Sequence, residues 1–159
     1  MERSGTAKII HELVAGEDMV DANGHVGDVG LARIFAQAET RFLASAEVDA
    51  DYRIKTNCSV YTADTRVTYR SELKAGTRVV IKFNILDLSN KAVHVLFTAH
   101  DEARILATHE CLMLHVDRSG VQPVVCPFGR YVLANLVHMR TSTRIVAPTT
   151  IPIGIRRIS

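Results

Sequence analysis

The feature that most limits what this chain can fold into is a change of hydrophobic period between residues 48 and 60. Before it, Leu31, Ile34, Phe35, Ala38 and Phe42 recur on one stripe at helical spacing, and Ser45 or Ala46 closes the stripe. Asp28 is placed to cap this helix, and the helix is expected to end before Val48-Asp49. After the change the period is two. Val60–Tyr69 alternates and is rich in Val, Thr and Tyr; Arg78–Leu88, Ala92–His100 and Ile105–Val116 follow. In the third of these Val93, Val95, Phe97 and Ala99 share a face, and in the fourth Leu106, Leu112, Leu114 and Val116 are in phase. Turn-forming groups (Lys74-Ala75-Gly76-Thr77, Leu88-Ser89-Asn90-Lys91, Asp101–Arg104, Asp117-Arg118-Ser119-Gly120) separate them. Lys8–Val14, mostly apolar and short, reads as a first strand.

Consecutive strands joined by tight turns pair antiparallel. A helix with an apolar stripe must bury it, and the concave face of that sheet is the available surface. The expected fold is therefore α+β: a five- or six-stranded antiparallel sheet wrapped around one long central helix. A length of 159 residues suits one domain. We expect that domain to span residues 1–140. Residues 141–159 lose periodicity and carry two prolines, so a flexible basic C-terminal tail is expected there.

Charge is unevenly spread. No carboxylate follows Asp117, whereas six of the 19 basic residues lie from Arg118 onward. The first 117 residues are thus at 13 − 17 = −4 and the remainder at +6. The basic residues show no aromatic interleaving or helical pattern, which argues against nucleic-acid binding. No apolar run approaches the ~20 residues of a membrane span, and the N-terminus lacks a signal-peptide pattern, so a cytoplasmic location is expected. Cys58, Cys111 and Cys126 form no close pair in sequence and read as three reduced thiols rather than a disulfide framework or a zinc site. His11, His94, His100, His109, His115 and His138 show no metal-ligand spacing and receive no role.

Val20-Asp21-Ala22-Asn23-Gly24-His25-Val26, just ahead of the helix, resembles the Asp-x-Asn-Gly-His-hydrophobic motif of hotdog-fold acyl-CoA thioesterases related to 4-hydroxybenzoyl-CoA thioesterase. Tyr61–Val67, Lys74–Val79 and Ala107–Asp117 are similar to later segments of that family, in the same order, so the resemblance spans roughly residues 8–120. The betainyl-CoA thioesterase type of carnitine breakdown is the closest in appearance. Two of its usual aromatic positions are small here, at Ala22 and near Gly30.

The resemblance implies a hotdog fold and hydrolysis of a CoA thioester to free acid and CoA. It implies no separate cofactor, because CoA arrives as part of the substrate, and no metal. It also implies a homodimer or a dimer of dimers with sites between subunits. Asp21 is the expected catalytic carboxylate, attacking the thioester or deprotonating water, with Asn23 orienting it. His25 is a third candidate, either structural or a general base. Thioester hydrolysis also needs donors for the oxygen that gains charge. Amides near His25 and Val26 are candidates, and Gly24 would let the backbone approach the carbonyl. Glu39, roughly 80° from the centre of the helix stripe at ~100° per residue, could reach a substrate or a partner subunit. Asp64 and Thr65 resemble an acid–Thr pair that reaches the site from a neighbouring strand. Arg118 and Arg130 are candidates for phosphate contacts. Two other functions stay open: a non-catalytic acyl-CoA-binding hotdog module, and a hydratase or dehydratase of the same fold. The second is disfavoured because no proline lies near His25.

Overall fold

The computed structural model describes residues 7–143. Strand β1 (Lys8–Val14) is followed by a short 3-10 turn at Glu17–Met19 and helix α1 (Asp28–Ser45). Helix α2 (Ala50–Thr56) leads to β2 (Cys58–Tyr69), β3 (Arg78–Leu88), β4 (Ala92–His100) and β5 (Ile105–Asp117). A two-residue strand β6 (Val124–Val125) and helix α3 (Arg130–Ser142) complete the chain. The sheet order is β1-β3-β4-β5-β2, antiparallel throughout, with β6 added to β5. This is the expected hotdog arrangement.

Helix α1 buries Leu31, Ile34, Phe35, Ala38 and Phe42, the stripe read from the sequence. The Phe42 ring meets Phe83 of β3 edge-on at 5.2 Å and Phe97 of β4 at 5.8 Å. Val93, Val95, Phe97 and Ala99 of β4 all belong to this core.

Four local features differ from expectation. Gly27, not Asp28, caps α1; Asp28 is the first helical residue and its carboxylate accepts from Val29 N–H at 2.9 Å. A Cβ on Gly27 would meet Asp21 Oδ2, so a side chain at the cap would have to displace that carboxylate. On β5, Ala107, Cys111 and Met113 face the core, while Leu112 and Leu114 join Ala92 in a separate cluster. Pairing slips by one residue between Ala99↔Ala107 and His100↔Ile105, which lets Leu106 reach the core beside Ala107. Helix α2 was not read from the sequence. It is only seven residues long and held by the Asp49 carboxylate, which accepts from Tyr52 N–H at 2.9 Å. Helix α3 was also unforeseen. It anchors through buried Val132, Leu136 and Met139, and it carries order as far as buried Thr143, three residues past the expected domain boundary. The rest of the expected tail, 144–159, lies outside the described residues.

Phe42→Ala should lower unfolding free energy by about 3–5 kcal/mol in a denaturant titration, because it empties the contact between helix and sheet. A loss under ~1 kcal/mol would show that the helix is held elsewhere.

Candidate active site

The loop before α1 is built around Asp21. Val20 and Val26 form an isolated antiparallel bridge. Inside it Asp21 N–H donates to His25 O at 2.8 Å, and Gly24 N–H to Asp21 O at 3.0 Å. Gly24 has φ +78°, the left-handed conformation that Asn-Gly turns favour. Val26 N–H donates to Leu73 O at 2.8 Å, which ties the loop to the chain beyond β2.

The Asp21 carboxylate is held in place. Oδ1 accepts from Asn23 N–H at 2.8 Å, and Oδ2 lies against Gly27, the cap of α1. The Asn23 side-chain amide adds a long contact of 3.5 Å to Oδ2. An anion thus sits at the positive end of an 18-residue helix. The first intrahelical bond at this end is Leu31 N–H to Gly27 O, 3.0 Å, so the amides of Asp28 and Gly30 precede the helical ladder. Gly30 is obligatory: a Cβ would lie 2.7 Å from both Met19 O and Val26 Cγ1. A cavity of about 250 Å³ opens here, lined by Asp18, Met19, Asp21, Asp28, Gly30 and Arg33 among others. Arg33 is engaged with Asp18 at 2.6 Å.

The other expected residues are distributed differently. Val26 N–H is engaged by Leu73 O and is not free to meet a ligand, whereas the amides of the first helical turn lie outside the intrahelical ladder. His25 forms no dyad with Asp21. Its Nε2 lies 3.2 Å from the Glu72 carboxylate, and it lines a separate crevice with Tyr69 and Leu73. Asp64 and Thr65 lie on an exposed stretch of the edge strand β2, opposite Leu112 and Cys111, beside a register shift. No described contact joins them to Asp21. Arg118 donates its backbone N–H to Asn57 O, and the Arg130 guanidinium lies 5.5 Å from the Tyr131 ring.

Glu39 stands eleven residues beyond Asp28, ~16 Å along the helix at ~1.5 Å per residue, so it belongs to a second constellation. Its carboxylate lies 2.6 Å from His109 Nε2 and accepts from Thr62 Oγ1 at 3.3 Å. His109 stacks on Phe35 at 5.0 Å, is 6% exposed, and leaves Nδ1 buried without a partner. Burial and the nearby Glu39 charge push the Cys111 thiol up to about 12. His109 and Cys111 were missed because the even-numbered leucines of β5 are the more conspicuous apolar set; the odd set that faces the helix includes a histidine and a cysteine.

Comparison with known proteins identifies the family and the fold. The sequence pattern of the Thioesterase-like superfamily matches residues 14–152. A betainyl-CoA thioesterase of Pseudomonas aeruginosa is 27% identical over 143 residues, 89% of this chain and 87% of its own length. An L-carnitine dehydrogenase/betainyl-CoA thioesterase of Agrobacterium fabrum is 27% identical over 150 residues. The match takes in 94% of this chain but only 30% of that longer protein. A hypothetical protein of Staphylococcus aureus, solved in complex with CoA, superposes with a TM-score of 0.83 at 21% identity, over 98% of this chain and all of the other.

A thiol near 12 leaves about one Cys111 in 10⁴ ionised at pH 8, and alkylation requires the thiolate. Iodoacetamide on the native chain should therefore leave Cys111 unmodified, and labelling should follow unfolding in urea. Fast native labelling, read by peptide mass, would contradict this packing.

Proposed function

We propose, since the chain belongs to the thioesterase-like superfamily, that it hydrolyses acyl-CoA thioesters using Asp21. The observation that carries this is the Asp21 carboxylate, held by Asn23 against the cap of the buried helix at the mouth of a cavity. The thioester carbonyl accepts from the first-turn amides of Asp28 and Gly30, whose partial positive charge stabilises the oxygen as it becomes negative. Asp21 takes a proton from water as its oxygen bonds to the carbonyl carbon. The C–S bond then breaks, and the proton passes to the departing CoA sulfur. Direct attack by Asp21, followed by hydrolysis of the anhydride, uses the same geometry. The substrate carries the CoA, and the reaction needs no separate cofactor.

The substrate we favour is betainyl-CoA, the acyl group named in the Pseudomonas and Agrobacterium relatives. The family's aromatic positions are filled by Ala22 and Gly30, and Gly30 has no room for a Cβ. The cavity instead presents Asp18, Asp21 and Asp28 against the single cation Arg33. That field suits a trimethylammonium group. Subunit pairing through β2 completes the reading. This strand of 12 residues is an open edge, exposed from Tyr61 to Arg66, and pairing would place Asp64 and Thr65 at the junction. A homodimer, or a dimer of dimers, follows. Among the described residues no helix is long and apolar enough to cross a membrane, which accords with a cytoplasmic enzyme.

Purified protein assayed with betainyl-, short aliphatic, long aliphatic and aromatic acyl-CoAs should release thiol with at least one. Asp21→Asn should lower kcat by on the order of 10² or more. Turnover that survives the substitution would remove Asp21 from the chemistry. Betainyl-CoA should also outcompete its neutral isostere tert-butylacetyl-CoA, and its advantage should shrink as salt screens the carboxylates. Equal rates at low salt would exclude the charge-based selection. Gly27→Ala should depress kcat by displacing Asp21 Oδ2; an unchanged kcat would show that the carboxylate position is not critical.

A further inference from the structure

We propose that Cys58, His115 and Cys126 form a site for a thiophilic divalent cation, zinc being the best fit, which clasps the C-terminal segment onto the sheet. The three residues are far apart in sequence, and three different parts of the fold bring them together. Cys58 opens β2, His115 lies near the end of β5, and Cys126 follows β6. One donor atom from each lies within 4.8 Å of the others. The Cys126 Sγ to His115 Nδ1 distance is 3.2 Å. Around a tetrahedral zinc, bonds of about 2.3 Å to sulfur and 2.0–2.1 Å to nitrogen separate ligand atoms by about 3.5–3.8 Å. The Cys126–His115 spacing is within a few tenths of an ångström of this, and the 4.8 Å bound on the set leaves Cys58 at most about 1 Å to close.

The surroundings of His115 strengthen the case. The residue is 1% exposed, and its Nε2 lies 2.8 Å from the Tyr52 hydroxyl. A proton on Nε2, donated to Tyr52, leaves the Nδ1 lone pair for the cation. The Tyr52 oxygen would thereby fix the tautomer and ring orientation, the role a carboxylate, carbonyl or water oxygen fills beside most ligating histidines. Nδ1 also lies 3.1 Å from the Cys126 carbonyl oxygen, the contact it makes when protonated; cation binding exchanges that hydrogen bond for a metal bond and releases protons. The backbone is set independently of any ion. Cys126 N–H donates to His115 O at 3.0 Å, and Cys58 pairs with Asp117 in the sheet. Both cysteines are free.

The second cluster of possible ligands, Glu39, His109 and Cys111, differs in kind. There Nε2 already faces a carboxylate at 2.6 Å, and the thiol is held near 12. The Cys58 site is also remote from Asp21. Cys58 and Tyr69 are the two ends of β2, about 35 Å apart at ~3.3 Å per residue, and the Asp21 loop is tied at the Tyr69 end through Leu73. The cation therefore takes no part in the hydrolysis proposed at Asp21; three protein ligands leave its fourth position to water. It joins β2 and β5 to the segment that turns into α3, beside Phe128, whose ring lies 4.8 Å from that of His115.

The test uses the full chain without a polyhistidine tag. Elemental analysis after growth with zinc should find about one zinc per chain, and Cys58→Ser and Cys126→Ser should each lose it. Cobalt(II) added to the metal-stripped chain should produce thiolate-to-cobalt charge-transfer absorption, absent in both variants. Tyr52→Phe, which keeps all three ligands, should weaken cobalt affinity about 10-fold or more. Zinc should also shield Cys58 and Cys126 of the folded wild-type chain from alkylation until a chelator is added, a readout that does not depend on variants folding. Thioesterase kcat at Asp21 should be unchanged in Cys58→Ser, so failure of this proposal and failure of the catalytic one are distinguishable. Wild-type protein that gives no charge-transfer band, or that yields Cys58 and Cys126 as a disulfide with no bound metal, would overturn the cation site.

Discussion

The rest of the structure depends on seating α1 in the curl of the sheet. Phe42 presses edge-on against Phe83 and Phe97, and Ile34, Ala38 and Phe42 are entirely excluded from solvent. That packing fixes where the helix begins as well as where it lies. Close approach of Gly30 to Met19 and Val26 then sets the entry of the preceding loop, and the Val26–Leu73 hydrogen bond pins the loop's end. Asp21 is exposed and sits on a loop. It is nonetheless held within a framework whose rigidity is borrowed from the core, the kind of support the proposed catalytic role calls for.

The core is not purely apolar. His109 is stacked on Phe35 and faces Glu39, while His94 and Glu110 meet at 2.8 Å with both side chains under 10% exposed. Buried ion pairs return little net stability, but removing one partner is costly because it strands the other. These pairs consequently restrict which substitutions the central strands accept. Asn84 Oδ1 and His109 Nδ1 are buried without a hydrogen-bond partner among the described residues. The His109 atom belongs to a β5 residue that faces Glu39 of the helix, so a polar contact between helix and sheet is also a place where buried polarity is incompletely satisfied.

Much of this was legible in the sequence for a simple reason: period and turn chemistry are local. The α1 stripe, β3 and β4 and their turns follow from residues within ten positions of one another. The Asp21 loop was legible through its motif, but its geometry was not. The Gly27 cap was assigned to Asp28 because nothing local reveals that Asp21 fills the capping space. Val26 was assigned as a donor because its acceptor, Leu73, lies 47 residues on. The inward face of β5 is not legible from the sequence, since its even-numbered leucines are more apolar than Ala107, His109 and Cys111. Helices α2 and α3 were missed because one is too short to show a period and the other anchors by only three buried residues.

The cysteines show where local reading must stop. Ligand spacing in sequence detects metal sites built on one loop or helix. A sheet can bring residues 58, 115 and 126 together with no such spacing, because antiparallel pairing places Cys58 opposite Asp117 and β6 beside Val116. The same strand that begins at this cluster ends near the tie to the Asp21 loop. β2 thus links two chemically distinct sites through a sheet edge that stays open along its middle. Within its exposed stretch Thr62 reaches Glu39 of the helix, and Asp64 and Thr65 follow. A subunit that added to this edge would cover Asp64 and Thr65 without disturbing either end, since Cys58 is fixed by pairing with β5 and Leu73 by the bond from Val26. The proposed association, catalysis and cation binding would therefore draw on different stretches of one strand without competing for the same backbone groups.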